Sequence, residues 1–270
     1  MWSRGQLQLT TDRIEGLARE LYTAERSAQV IPPISERFPD MTAHEAYAVQ
    51  EAWARLRLGA GGRRVGRKIG CTSKAIQELF GIDVPDYGQI FEDMMVADSG
   101  DVQRAELVQP MVEPELAFLL REDLRGPGVR TEEVAAAIAS VHACIEIIDS
   151  RIDDWRIRFV DTVADNGSSA RCIVGPAIKP REQGYSDVIA TLRKNGEVVG
   201  TATGEAVLGE PIAAVAWLAN VLGEMGTVLR AGEYVLSGSF TVADRAEVGD
   251  RYEATFTEIG SVSCTFGGAL

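Results

Sequence analysis

Residues 111–120 read MVEPELAFLL, an apolar run that carries two carboxylates two positions apart, Glu113 and Glu115. Residues i and i+2 of a strand share a face, so this spacing sets the two side chains next to each other. Carboxylates buried together repel, and the conflict ends when one takes a proton or a cation lies between them. A hard divalent ion fits, because Mg2+ and Mn2+ take oxygen ligands. Pro114 lacks an N–H and is expected at a sheet edge or a bulge, where a site can open. The same spacing also fits a solvated edge with its polar face outward. Glu146, in HACIEIIDSR (142–151), interrupts another apolar strand and would complete a set of three oxygens. The alternative for Glu146 is a buried pair with Arg151 or another arginine, and Asp149 faces a similar choice.

Other segments could serve such a centre. VGRKIGCTS (65–73) puts Arg67 and Lys68 between glycines on a strand, and alternation sends the pair to opposite faces, so at most one should enter the core. A desolvated lysine near a metal can exchange protons near neutrality, whereas a surface lysine is only a charge. Asp86, in the turn-like VPDYG (84–88), is either a turn cap or a second acid/base. Gly238, in LSGSFT, suggests a close backbone approach beside free hydroxyls, or simply a turn between strands. The two histidines, His44 and His142, do not support a Ser-His-Asp triad or a His-rich zinc site. No phosphate-binding glycine motif is present.

The elements that must position these residues read as follows. Ile14, Leu17, Ala18, Leu21 and Tyr22 mark one face of a helix over 11–27. Thr42-Ala43-His44-Glu45 is a capping box opening a second helix to about Leu58, stopped by glycines at 59, 61 and 62. From Arg63 onward short strand-like runs alternate with turns: 65–71, 88–91, 108–120, 143–149, 188–192, 232–237 and 252–256. Helices are expected over 73–80, 131–140 and 211–222, and Asn195-Gly196 signals a hairpin. The fold class is α+β: a helical arm over 1–62, then a β-rich catalytic domain over 63–270.

Composition narrows the function classes. The 270 residues carry 27 Lys/Arg against 40 Asp/Glu, a net charge of −13 that disfavours nucleic-acid binding. Apolar residues make up 46 %, enough for a sizeable core. Four scattered cysteines form no CxxC pair, and MWSRGQLQLTTDR shows no targeting segment, so a reducing, cytoplasmic setting is expected. No apolar run was expected to approach the ~18 residues of a membrane span.

Taken in order, GRKIGCTSKA (66–75), PDYGQIF (85–91), QPMVEPELAF (109–118), IEIIDSRIDDWRIRFVDTVADN (145–166) and GSVSCTF (260–266) resemble the 2-keto-4-pentenoate hydratase family, a branch of the fumarylacetoacetate hydrolase superfamily. The resemblance spans nearly the whole chain, including ERFPDMTAHEAYAVQ (36–50). It implies a mixed β-sheet core of fumarylacetoacetate hydrolase type and a ring-like homo-oligomer. It implies Glu113, Glu115 and Glu146 as ligands to Mg2+ or Mn2+, Lys68 and Asp86 as the proton-transfer pair, and Ser168 and Thr241 as substrate contacts. The implied reaction adds water to 2-hydroxypenta-2,4-dienoate, giving 4-hydroxy-2-oxopentanoate in the meta-cleavage of aromatic compounds, with other enzymes of that route as possible partners. Asp86, GRKIG and RFVDTVADN are similar to hydratases. ADNGSSAR (164–171) is similar to 2-oxo-3-hexenedioate (4-oxalocrotonate) decarboxylases as well, with Gly167 where alanine is expected. GSFT (238–241) is similar to hydratases of 2-oxohept-4-ene-1,7-dioate, and Glu210 stands where histidine is usual.

Overall fold

The computed structural model describes residues 8–268. Residues 1–7, part of the stretch read for targeting signals, lie outside the described residues, as do 269–270. The arm holds α1 (Thr11–Ser27), α2 (Ile34–Arg37) and α3 (Ala43–Gly59). α1 buries Ile14, Leu17, Ala18 and Leu21, the face its periodicity marks. The capping box of α3 is formed: Glu45 N donates to Thr42 Oγ1 and Thr42 N donates to Glu45 Oε2 at 2.9 Å. α1 and α3 pack together, and their apolar faces join the same core as the strands.

Next come β1 (Arg64–Gly70), α4 (Lys74–Phe80) and β2 (Asp86–Phe91). They are followed by β3 (Met95–Val96), β4 (Gly100–Gln103) and β5 (Met111–Leu120). Then come α5 (Thr131–Ala137), β6 (Ile138–Ile148), α6 (Phe159–Ala164) and β7 (Ser169–Val174). β8 (Ile189–Lys194), β9 (Glu197–Thr203) and α7 (Pro211–Glu224) come next. The chain closes with β10 (Tyr234–Leu236), β11 (Asp244–Arg245), β12 (Arg251–Phe256) and β13 (Gly260–Gly267).

An eight-stranded mixed sheet runs β2-β1-β10-β5-β6-β7-β3, with β11 also on β5, and a five-stranded sheet runs β4-β13-β12-β8-β9. The α+β expectation holds. Asn195 and Gly196 both take positive φ, 53° and 90°, as the β8–β9 hairpin turn requires. α5 is shorter than expected and β6 longer. From Ile138 the chain pairs with Leu120 instead of continuing its helix, because β-branched Ile138 and Val141 fit a buried strand.

Two expectations need correction. Pro114 is on an interior strand, between β6 and the β10/β11 side, and not at a sheet edge. The ladder tolerates it because β10 pairs only with 117–119 and β11 only with 111–112. Pro114 O accepts from Phe240 N at 3.0 Å, so the missing donor faces that interruption. The helical stretch Gly204–Glu224, which includes α7, is 21 residues long with mean hydropathy 1.5, long and apolar enough to meet the membrane-span criterion. Half of it is buried, however, and α7 packs on α5 and β1.

Candidate active site

Sheet register explains why the three glutamates meet. Glu113 on β5 is paired with Glu146 on β6, which is paired with Cys172 on β7; Glu115 is paired with Cys144. Paired residues share a face, so all three carboxylates project from the same side of neighbouring strands. One oxygen from each lies within 4.8 Å of the others. Phe118, on the opposite face by alternation, meets the Tyr185 ring edge-on at 5.2 Å. The acidic face and the apolar face therefore belong to one strand.

Register also carries Lys68 and Asp86 to this face. Lys68 is paired with Gly88 on β2 and with Leu236 on β10, and Leu236 is paired with Ala117 on β5. Asp86 is paired with Gly70. Lys68 and Asp86 thus each have a glycine as their β1–β2 cross-strand partner. A Cβ on Gly70 would lie 2.2 Å from Asp86 Oδ1 and 3.1 Å from Lys68 Nζ, so only glycine leaves them room.

Arg67 and Lys68 are both buried, contrary to the expectation that at most one enters the core. Arg67, on the far face, finds a carboxylate there: its Nη1 donates to Glu233 Oε2 at 2.9 Å. Lys68 lies with Nζ 3.6 Å from Glu146 Oε2. Arg151 does not pair with Glu146 but binds Asp165, Nε to Oδ1 at 2.6 Å. Asp149 accepts from the backbone of Val108 and Gln109. His142 is occupied by Gly175 O at 2.8 Å and Ser140 Oγ at 2.9 Å.

The polar atoms left without hydrogen-bond partners include several at this place. Among the described residues, both oxygens of fully buried Glu146, Asp86 Oδ1 and Ser168 Oγ have none. Glu115 Oε2 accepts from Gly238 N at 2.9 Å, and Gly238 has φ +101° with Thr72 packed where a Cβ would stand. The close approach inferred at Gly238 is therefore real, made by its amide. Thr241 is on the same β10–β11 connection. Its hydroxyl donates to Val242 O, and no hydrogen bond or ion pair among the described residues joins it to the carboxylates.

The electrostatics follow from burial. Desolvation pushes Glu113 up to about 7, with Lys68 opposing and Glu146 and Asp86 adding. Glu115 rises by burial and then by its acidic neighbours, and Asp86 rises by burial against the pull of Lys68. Burial acts to lower Lys68, but Glu146, Asp86, Glu113 and Glu115 outweigh it and hold its pKa above the ordinary lysine value. The lowering weighed in the sequence is conditional on a metal beside the lysine, whereas the carboxylates by themselves raise it. Three converging carboxylates, with neither oxygen of buried Glu146 hydrogen-bonded among the described residues, fit a hard divalent ion, which would offset their repulsion.

Sequence reasoning did not find Asn166, Gly70, Gly88 or Gln50. Gly88 leaves room for Asn166 O, 2.3 Å from where its Cβ would stand. The only signal was glycine recurring two residues from Lys68 and from Asp86. Glu210, where histidine was expected, caps α7 and accepts from Tyr185 N and Ser186 N.

The strand register and the mixed sheet give an α+β fold that fumarylpyruvate hydrolase from Pseudomonas aeruginosa shares at TM-score 0.61 and 16 % identity, covering 77 % of this chain and 90 % of its own. No family profile matches the chain. It is 41 % identical over 259 residues to the 2-keto-4-pentenoate hydratase of Paraburkholderia xenovorans, covering 96 % of each. It is also 41 % identical over 256 residues to the 2-hydroxyhexa-2,4-dienoate hydratase of Comamonas testosteroni, covering 94 % of this chain and 97 % of that one. The chain belongs to the 2-keto-4-pentenoate hydratase family. A 4-oxalocrotonate decarboxylase from Pseudomonas putida G7, solved with magnesium and adipate, superposes at TM-score 0.94 with 35 % identity, covering 97 % of this chain and 100 % of its own.

Proposed function

We propose that the chain is a Mg2+- or Mn2+-dependent hydratase of 2-hydroxypenta-2,4-dienoate or a close 2-oxo-alkenoate. The observation that carries this reading is the convergence of Glu113, Glu115 and Glu146 beside Lys68, in a chain 41 % identical to hydratases. Glu113, Glu115 and Glu146 would hold the ion, which when bound would polarise the 2-oxo acid.

Proton movements fall to the chain's own groups. Lys68, whose pKa the surrounding carboxylates raise, gives a proton to the terminal diene carbon and regains the one lost from the 2-hydroxyl. Asp86 Oδ1, buried without a partner, takes a proton from the attacking water. The water's hydroxyl ends on C4 and its proton on C3, so one water is consumed. The unpartnered Ser168 hydroxyl donates to the substrate carboxylate, and Thr241 is the candidate for the far end of a longer substrate. Each acid/base group contributes roughly 10²–10⁴-fold.

Four free cysteines accord with a reducing cytoplasm. The exposed strand β9, with Val198 and Val199 outward, accords with a homo-oligomer, which light scattering measures directly. The decarboxylase is the second reading, favoured by the TM-score of 0.94. Ultraviolet assay of metal-reconstituted protein separates the two. Gain of one water by the dienoate, abolished by a chelator, is expected. Carbon dioxide release from 2-oxo-3-hexenedioate without hydration would move the chain to the decarboxylase branch.

A further inference from the structure

Between α6 and β7 three consecutive residues adopt left-handed backbone: Asn166 at φ +57°, Gly167 at +59° and Ser168 at +57°. Such a run is unfavourable for L-residues, and two of these carry side chains. It is nevertheless deeply buried, with Asn166 at 1 % and Ser168 at 2 % exposure. Something must hold it. The Asn166 carboxamide does so from both ends: Gln89 N donates to its Oδ1 at 2.7 Å, and its Nδ2 donates to Gln89 O at 2.9 Å. This pair of bonds stands in for a strand neighbour on β2. Asp149 N also donates to Ser168 O at 2.7 Å.

The turn is built against Lys68. A Cβ on Gly167 would lie 2.5 Å from Lys68 Cε and 3.1 Å from its Nζ. The lysine methylenes therefore run directly over the Gly167 backbone, on the route to Glu146. Gly88, the cross-strand partner of Lys68, is bare where the carbonyl of Asn166 comes down on β2. Lys68 Nζ has no ion pair other than Glu146 within salt-bridge distance among the described residues, so backbone packing shares in fixing where its charge sits.

We propose that Asn166 is a positioning residue: its clamp on Gln89 holds a left-handed turn whose Gly167 surface seats Lys68 against Glu146. The inference rests on the hydratase reading for its kinetic consequence but not for its structural one. Asn166 touches no substrate in this scheme and acts through Lys68.

Two measurements test it. The first is a double-mutant cycle of Gly167→Ala and Lys68→Ala, read by thermal unfolding of the metal-free protein. Gly167→Ala is expected to lower the midpoint in the parent and to lower it clearly less once the lysine chain is gone. Equal losses in both backgrounds would overturn the seating contact. The second compares Asn166→Gly with the parent in steady-state hydration. Glycine accepts the left-handed conformation but cannot clamp, so kcat should fall at least tenfold while KM and the metal-induced thermal shift stay within about threefold. Parental kcat in Asn166→Gly, or a fall in kcat matched by loss of the metal shift, would overturn the positioning role. If the parent hydrates no dienoate, the hydratase reading fails by itself, and the thermal cycle still decides the contact.

Discussion

Glu146 concentrates the logic of the site. It is fully buried, and among the described residues its two oxygens lack hydrogen bonds and its ion-pair partner is Lys68 at 3.6 Å. A carboxylate so placed opposes folding unless a stronger counter-charge arrives. Glu146→Gln should therefore leave the metal-free melting temperature unchanged or higher. It should weaken Mg2+ or Mn2+ affinity by at least about 100-fold, seen as loss of the metal-induced thermal shift. Glu113 supplies the pH dependence. Its folded carboxyl, pushed up to about 7 by burial, keeps a proton that the unfolded chain has already released. The metal-free protein therefore loses this contribution to stability as pH rises from the ordinary glutamate range through about 7. Metal must displace that same proton. With the Glu115 carboxyl raised as well, apparent affinity should rise by at least about tenfold per pH unit below 7, measurable by calorimetric titration across pH 5.5–8.5, values chosen to lie roughly 1.5 units either side.

Elements matter here through what pins them. The connection from β10 to β11 brings the Gly238 amide to Glu115, with φ +101° and Thr72 filling the space a side chain would need. Gly238→Ala should weaken metal binding by about tenfold through the displaced amide, a loss of about 1.4 kcal/mol, with the melting temperature also lowered. The segment between β6 and β7 hangs on a different fastening. Arg151 bonds Asp165 through Nε and the carbonyls of Asp149 and Asp165 through its Nη atoms, all out of water. Arg151→Met strands the Asp165 charge and should cost about 3–5 kcal/mol in denaturant unfolding. Neither the substitution nor its cost depends on metal, which separates this scaffold from the site.

At the scale of the whole molecule, the helical arm is tied to the site. Gln50 of α3 is fully buried, and its Nε2 donates to Tyr87 O at 2.9 Å and Val163 O at 2.8 Å. Tyr87 follows Asp86 on β2, and Val163 lies on α6 just ahead of the Asn166 turn. Gln50→Leu leaves two buried carbonyls unpaired, at about 1–3 kcal/mol each. Its midpoint in urea should fall, and kcat should fall with it because both flanks of the site loosen. An unaltered kcat in a destabilised but folded variant would show the arm to be scaffold alone.

Local pattern was enough for much of this. The capping box at Thr42, the Asn195-Gly196 hairpin and the i, i+2 pairing of Glu113 with Glu115 are decided by near neighbours in sequence, and each stands in the structure. The third carboxylate could be suspected from Glu146 interrupting an apolar strand, but its partner could not. Whether it met Arg151 or the other glutamates depended on β5–β6 register, a long-range pairing that no local preference encodes. Pro114 misled for the same reason, since its missing donor is harmless only where β10 stops and β11 has not begun. The seating of Lys68, the direction of its pKa and the left-handed turn beneath it arise where β1, β2, β5, β6 and the segment after α6 converge. The sequence by itself determined which residues could do the chemistry; only the tertiary structure decided their neighbours, because burial and cross-strand register set the field each charge feels.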